Sequence, residues 1–288
     1  MYPKDFDYYR ADSVDDAVRL LDEHDDSELL AGAQGILTRM KTGEESPPAL
    51  VDIGDVNDLS AIEVRDGTLS VGTLVTHAEL ASSQTVADTA AALSDAASEV
   101  GDRQVRNRGT IGGNLAHGDP RSDPPAAMLS LDGRLVVQGP EGERTINATE
   151  LFDGSFETAV GNQEVVTHLE FPRDEAAGSA YHKRRNPLSG YAMVGVAADV
   201  RLDGDTITSA RIGVTGIRDC PFRLEAVENV LEGHSVDDEL LSEAGQKAKA
   251  AVDPDELRSD PQSSGEFRAH LLSVYTEQVV SEAVTRAD

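Results

Sequence analysis

The chain has 288 residues, 53 acidic against 25 basic, a formal charge of −28, one cysteine and 39% hydrophobic residues. The lone Cys220 excludes a disulfide scaffold, an iron–sulfur cluster held by this chain's own thiolates, and zinc on paired cysteines. The carboxylate excess argues against nucleic acid or an anionic membrane as partner, and no apolar run reaches the roughly 20 residues of a spanning helix; a soluble, cytoplasmic protein without membrane insertion is expected.

Ser13, with Asp16 three residues on and Val14, Ala17, Val18 and Leu21 on one face, predicts a helix to about His24. A strand over 28–31 enters a glycine-containing turn, followed by a helical pattern ending near Lys41. Further strands are expected over 49–53, and over 61–64 and 69–72 as a hairpin through Asp66-Gly67. Residues 86–100 are alanine-rich and predict one helix; 135–138 and 164–171 predict strands. The charged, small-residue segment 172–179 reads as a linker. Beyond it, 192–202 and 206–214 flank Asp203-Gly204-Asp205 as a long antiparallel hairpin, and helices are expected over 222–231, 236–251 and 265–284. This order predicts an α+β protein of two domains, 1–172 (two parts, about 1–55 and 56–172) and 178–288.

Three segments carry candidate chemistry, and none is a P-loop or a Rossmann fingerprint. The first is Ala31-Gly32-Ala33-Gln34-Gly35, where a strand runs into a helix. Such a turn exposes backbone N–H groups suited to phosphate, and equally describes an ordinary tight turn. The second contains Arg103, Arg106 and Arg108, then Gly109-Thr110-Ile111-Gly112-Gly113-Asn114. Its glycines let a backbone approach a ligand, and its arginines would compensate an anionic pyrophosphate or answer nearby carboxylates. Shortly after, Asp123 stands before Pro124-Pro125, as a helix N-cap or as an acceptor for sugar hydroxyls. The third is Tyr181-His182-Lys183-Arg184-Arg185 followed by Tyr191, a solvated cationic face or a site for stacking a planar ligand. His77 and His117 read as structural, Cys220 as an inert small residue, and no zinc-hydrolase or serine-hydrolase signature occurs.

Taken in order, these pieces resemble the FAD-binding medium subunit of the molybdenum hydroxylases, as in carbon monoxide dehydrogenase and the flavin domain of xanthine dehydrogenase. The resemblance covers nearly the whole chain. It is strongest in VGDRQVRNRGTIGGNLAHGDPRSDPPAAMLSLDG and includes VDIGDVNDLSAIE, AYHKRRNPLSGYAMVGVAA and RIGVTGIRDCPFR. It implies a two-part FAD-binding region of vanillyl-alcohol-oxidase type, then a small C-terminal α+β domain with an antiparallel sheet. It also implies that residues 31–35 and 110–114 cradle the pyrophosphate, Asp123 contacts the adenosine part, and Val166, Lys183 and Tyr191 lie near the flavin ring. The implied cofactor is FAD. The implied partners are a small subunit with two [2Fe-2S] clusters and a large molybdenum-pterin subunit, as a dimer of heterotrimers passing electrons to an external acceptor.

Three positions depart from that family: Ala33 where a second glycine is usual, Gly35 where serine is usual, and Gly190 in place of an aspartate. The Ala33 methyl is expected to be tolerated if φ is negative there. Two rival readings remain at this stage, a self-sufficient flavoprotein oxidoreductase and a flavin-free assembly or binding protein. The basic side holds 20 arginines and 5 lysines. With the carboxylate excess, this resembles the proteins of salt-accumulating halophiles, and stability rising with salt is expected.

Overall fold

The structure is a computed structural model and describes residues 2–172, 174 and 176–287. Three sheets organise it. Strands Asp7–Arg10, Ala49–Asp52 and Glu28–Leu30 form a small parallel sheet in that spatial order. Helices Val14–Glu23 and Ile36–Thr42 make its crossovers. The first is N-capped by Ser13, whose side chain accepts from the Asp16 amide, and its buried face is Ala17, Val18, Leu20 and Leu21. At the Asp66-Gly67 turn both residues have positive φ, 49° and 76°, the geometry that lets a two-residue loop follow strand twist.

That turn opens a five-stranded antiparallel sheet, in spatial order Ile62–Arg65, Thr68–Gly72, Val165–Pro172, Arg134–Gly139 and Gly142–Asn147. The last of these strands has exposed, charged residues and shows no apolar alternation, so the sequence pattern does not predict it. The sheet's core also takes in the helical layer, including Leu80, Leu93, Ile111, Leu115 and Met128.

The single helix expected over 86–100 is instead two, Gln84–Thr89 and Ala91–Glu99. Ala90, at φ −151° and ψ 59°, interrupts them, and the Ala92 amide beyond it is taken by the Ser179 hydroxyl at 3.1 Å. A further helix, His77–Ser82, precedes them and is closed by a Thr76/Glu79 capping box.

The third sheet is antiparallel: Ala177–Arg185, Ala192–Asp203, Thr206–Thr215 and Phe222–Arg223. Phe222 therefore ends a sheet, and the helix expected to start there begins at Glu225. Helices Asp238–Ala250 and Gly265–Ala287 bury one face of this sheet in a second core containing Val196, Ile212, Leu272 and Val280. Tyr181 and Ala197 face the other way, into the core of the five-stranded sheet. Between the two sits helix Pro124–Ser130, with all seven residues buried. The expected linker 172–179 includes Arg173 and Glu175, which lie outside the described residues. No helix among those described is long and apolar enough to cross a membrane.

Candidate functional site

A cleft of about 2160 Å³ runs between the small parallel sheet and the five-stranded sheet. It exceeds the roughly 300–1,000 Å³ usual for a compact small-molecule pocket, which suits an extended ligand. Residues 31–35 form one wall, and Thr110, Gly112, Gly113 and Asn114 form the facing one.

The two walls touch. A Cβ on Gly32 would collide with the Arg108 carbonyl and lie 2.9 Å from Gly109 Cα and Thr110 N, so only glycine permits this approach. Gly112 is pressed as closely on Thr73. Thr110 caps helix Ile111–His117, its hydroxyl accepting from Gly113 N. The Ile111 and Gly112 amides are used by Val75 O and Thr73 O, whereas those of Gly32, Ala33, Gln34 and Gly35 donate to no described residue. Four unpaired amides beside a glycine-lined helix start fit an anionic linkage such as a pyrophosphate.

Ala33 has φ +64°, so the expected tolerance through a negative φ is overturned. The chain turns here through the left-handed region before entering helix Ile36–Thr42. Gly35 stands beside cationic and imidazole groups: a Cβ there would lie 3.0 Å from Arg39 Nη1 and 3.4 Å from His117 Cδ2. Arg39 donates to His117 Nε2 at 2.8 Å and to Glu45 Oε1 at 2.5 Å. Burial, then the Arg39 charge, lowers the His117 pKa, so this imidazole is a neutral acceptor at neutral pH.

Further along, Val166, Asp123 and Tyr191 line the cleft. Val166 is placed by the strand Val165–Pro172, where a bulge after it shifts the register. Asp123 occupies the N-cap position of helix Pro124–Ser130, yet its side chain makes no capping bond. It accepts instead from the Tyr181 hydroxyl at 2.6 Å and from Lys183 Nζ at 2.9 Å. Burial raises the Asp123 pKa against the pull of Lys183, and burial, then Asp123, pushes the Tyr181 phenol well up. Tyr191 is half-exposed beneath the Arg121 guanidinium, 4.5 Å from its ring centre, and Asp119 holds Arg121 through two bonds of 2.9 and 2.8 Å.

Two expected site residues lie off the cleft. Ile111 is fully buried in the core. Lys183 has a side chain 1% exposed, and its ammonium is taken by Asp123, Glu99 O and Gly190 O, so it sits behind Asp123. The arginines expected to compensate an anion do not line the cleft either. The short helix Arg103–Arg106 turns Arg103 outward, Arg108 is exposed beyond it, and Arg106 donates to Val100 O and Gly101 O. Among the described residues ten acidic side chains line the cleft against two arginines, Arg39 and Arg144, so an anion here depends on neutral donors. The amino-acid pattern gave no sign of Arg39. Nor did it mark His77 as facing this space, although the Thr-x-x-Glu box around His77 marks a helix start.

Residues 4–174 match the family described as the FAD binding domain in molybdopterin dehydrogenase. Residues 179–283 match the carbon monoxide dehydrogenase flavoprotein C-terminal domain. The glyceraldehyde dehydrogenase medium chain of Sulfolobus acidocaldarius is 30% identical, over 98% of this chain and 99% of its own length. The carbon monoxide dehydrogenase medium chain of Afipia carboxidovorans is 32% identical, over 100% and 99%. A solved carbon monoxide dehydrogenase chain from Hydrogenophaga pseudoflava superposes with a TM-score of 0.94 at 32% identity, covering 99% of both chains.

Proposed function

The chain belongs to the family of FAD-binding medium subunits of the molybdenum-containing dehydrogenases and is an oxidoreductase subunit; from that premise we propose that it is the electron-transfer module of such a complex. In this reading a small partner with two [2Fe-2S] clusters delivers electrons that a large molybdenum-pterin partner has taken from substrate, in a dimer of heterotrimers. The flavin supplies the step between that donor and an external acceptor. The single cysteine supports the assignment of the clusters to another chain.

The chain's own residues bind, orient and polarise. Unpaired amides of 32–35, with Gly113 and Asn114 opposite, would hold the pyrophosphate. Asp123 would offer its remaining lone pairs to the adenosine or ribityl hydroxyls, held in place by Tyr181 and Lys183. Val166 and Tyr191 would flank the ring, and Lys183 would act on it through Asp123. The same reading divides the chain into an FAD-binding domain over 1–172, in parts of about 1–55 and 56–172, and a C-terminal domain over 178–288. The observation that carries it is the contact of Gly32 with Arg108–Thr110, which sets free amides against a glycine-lined helix start.

Affinity capture of the tagged chain from its own cells tests the proposal. Yellow protein arriving with an iron–sulfur chain and a molybdenum chain is expected. A flavin-loaded chain that captures neither, and oxidises a small substrate alone, would replace it with the self-sufficient flavoprotein reading.

A further inference from the structure

His77 is the first residue of helix His77–Ser82 and is 2% exposed, yet it lines the cleft. No hydrogen bond joins either ring nitrogen to a described residue, and Nδ1 is sealed from solvent without a partner. Helix capping does not explain this ring. The Thr76 and Glu79 side chains close the helix start, and the His77 amide donates to Gly109 O at 3.0 Å.

The ring's placement is specific. A Cβ on Gly109 would lie 3.1 Å from His77 Cδ2 and 3.5 Å from Gln34 Cγ. The Cδ2 edge, which carries Nε2, therefore faces the junction where residues 31–35 meet residues 108–110. A neutral imidazole has one N–H, and a buried N–H without an acceptor is disfavoured more than a buried lone pair. The proton thus belongs on Nε2, at the cleft edge, with the lone pair on the sealed Nδ1. Burial, then the Arg106 charge, pulls the His77 pKa down to about 4, so the ring is a neutral donor at neutral pH. A neutral donor suits a cleft whose lining is strongly acidic.

We propose that His77 is a further cofactor-binding residue, donating Nε2–H beside Gly109 and Gln34 to the anionic phosphate linkage of the FAD. The inference rests on the FAD reading above. The Nε2–H at the cleft edge is then the apoprotein's half of a bond that the cofactor completes.

His77→Phe keeps a ring of similar bulk without a donor, and His77→Gln restores an N–H. Binding of FAD and of ADP is measured by fluorescence and calorimetry, with melting temperature as the control for folding. In the wild type, the imidazole ¹⁵N shifts should report an Nε2–H tautomer, and that proton should move downfield on adding ADP. His77→Phe should weaken FAD and ADP by about tenfold or more, as expected for a lost bond to a charged group, while His77→Gln stays within about threefold. A Phe variant that binds both ligands like the wild type overturns the proposal, as do Phe and Gln variants that lose binding equally. A wild type that takes no FAD at all sinks the functional reading itself, a different result.

Discussion

Replacing Ala33 by glycine should stabilise the protein, against the usual sign of an alanine-to-glycine change. At φ +64° an L-residue is in the left-handed region, which costs roughly 1–2 kcal/mol through the clash of Cβ with the following carbonyl. Glycine removes that strain but gives up about 0.5–1 kcal/mol more backbone entropy on folding. The difference leaves a net gain of about 0.5–1 kcal/mol, worth a rise of roughly 1–3 °C in Tm for a chain of this size. Ala33→Val should move the other way by about 1–3 kcal/mol, since a β-branched residue tolerates this region less well. Ala61→Gly, exposed and outside the positive-φ set, serves as the ordinary control and should lower Tm. Packing of Gly32 on Arg108 holds the turn whether or not FAD is present, so FAD affinity should change by less than about twofold in Ala33→Gly. Differential scanning fluorimetry with and without FAD reads all four proteins. If Ala33→Gly and Ala61→Gly lower Tm alike, the left-handed turn and the argument built on it are wrong.

Lys183→Met should destabilise by about 3–5 kcal/mol, because it leaves the Asp123 carboxylate buried with Tyr181 alone, and adding Asp123→Asn should recover at least half of that loss in urea melts. Burial, opposed by Arg211, pushes the Asp199 carboxyl up to about 6, against an unfolded value near 3.8. This group therefore costs stability above pH 6, and the cost fades as pH falls from 6 towards 3.8; Asp199→Asn should raise the unfolding free energy in urea melts at pH 7.5 by at most about 3 kcal/mol and gain nothing at pH 4. FAD should bind more tightly in molar KCl than in dilute buffer, since salt screens repulsion between an anionic ligand and an acidic cleft; a Kd that weakens with salt, as for an ordinary basic site, would refute this. Tm should rise over the same salt range if the −28 charge marks adaptation to salt.

The legible parts of the fold were those where local chemistry and tertiary packing agree. Ser13 caps its helix, Asp66-Gly67 turns its hairpin, and the apolar alternation over 192–214 fixes the long hairpin of the third sheet. What the pattern hid was decided by distant partners. The break at Ala90 lies beside an amide taken by a hydroxyl 87 positions away, at Ser179. The edge strand Gly142–Asn147 carries almost no buried side chain, so it leaves no period-two signal. The site divides in the same way. The glycine-rich loops announce themselves because a close backbone approach restricts residue type. The arginines of 103–108 misled, since charge density along a chain does not say which way a four-residue helix will turn its side chains. His77 and Arg39 carry no pattern because their meaning lies in what they face, Gly109 and His117.

The carboxylate of Asp123 is supplied by one region of the chain, and its two donors, Tyr181 and Lys183, by a strand of the next. A hinge between these regions would have to pull a buried charge away from Lys183, its counterion among the described residues, so the C-terminal region cannot swing away from the Asp123 end of the cleft at modest cost. The proposed electron-transfer role would benefit from this rigidity, because tunnelling rates fall steeply with separation and a fixed floor would keep donor and acceptor at one distance. Ser189, Gly190 and Tyr191 make the C-terminal region part of the cleft, and on the proposed reading a chain cut near residue 172 should lose flavin along with that strand.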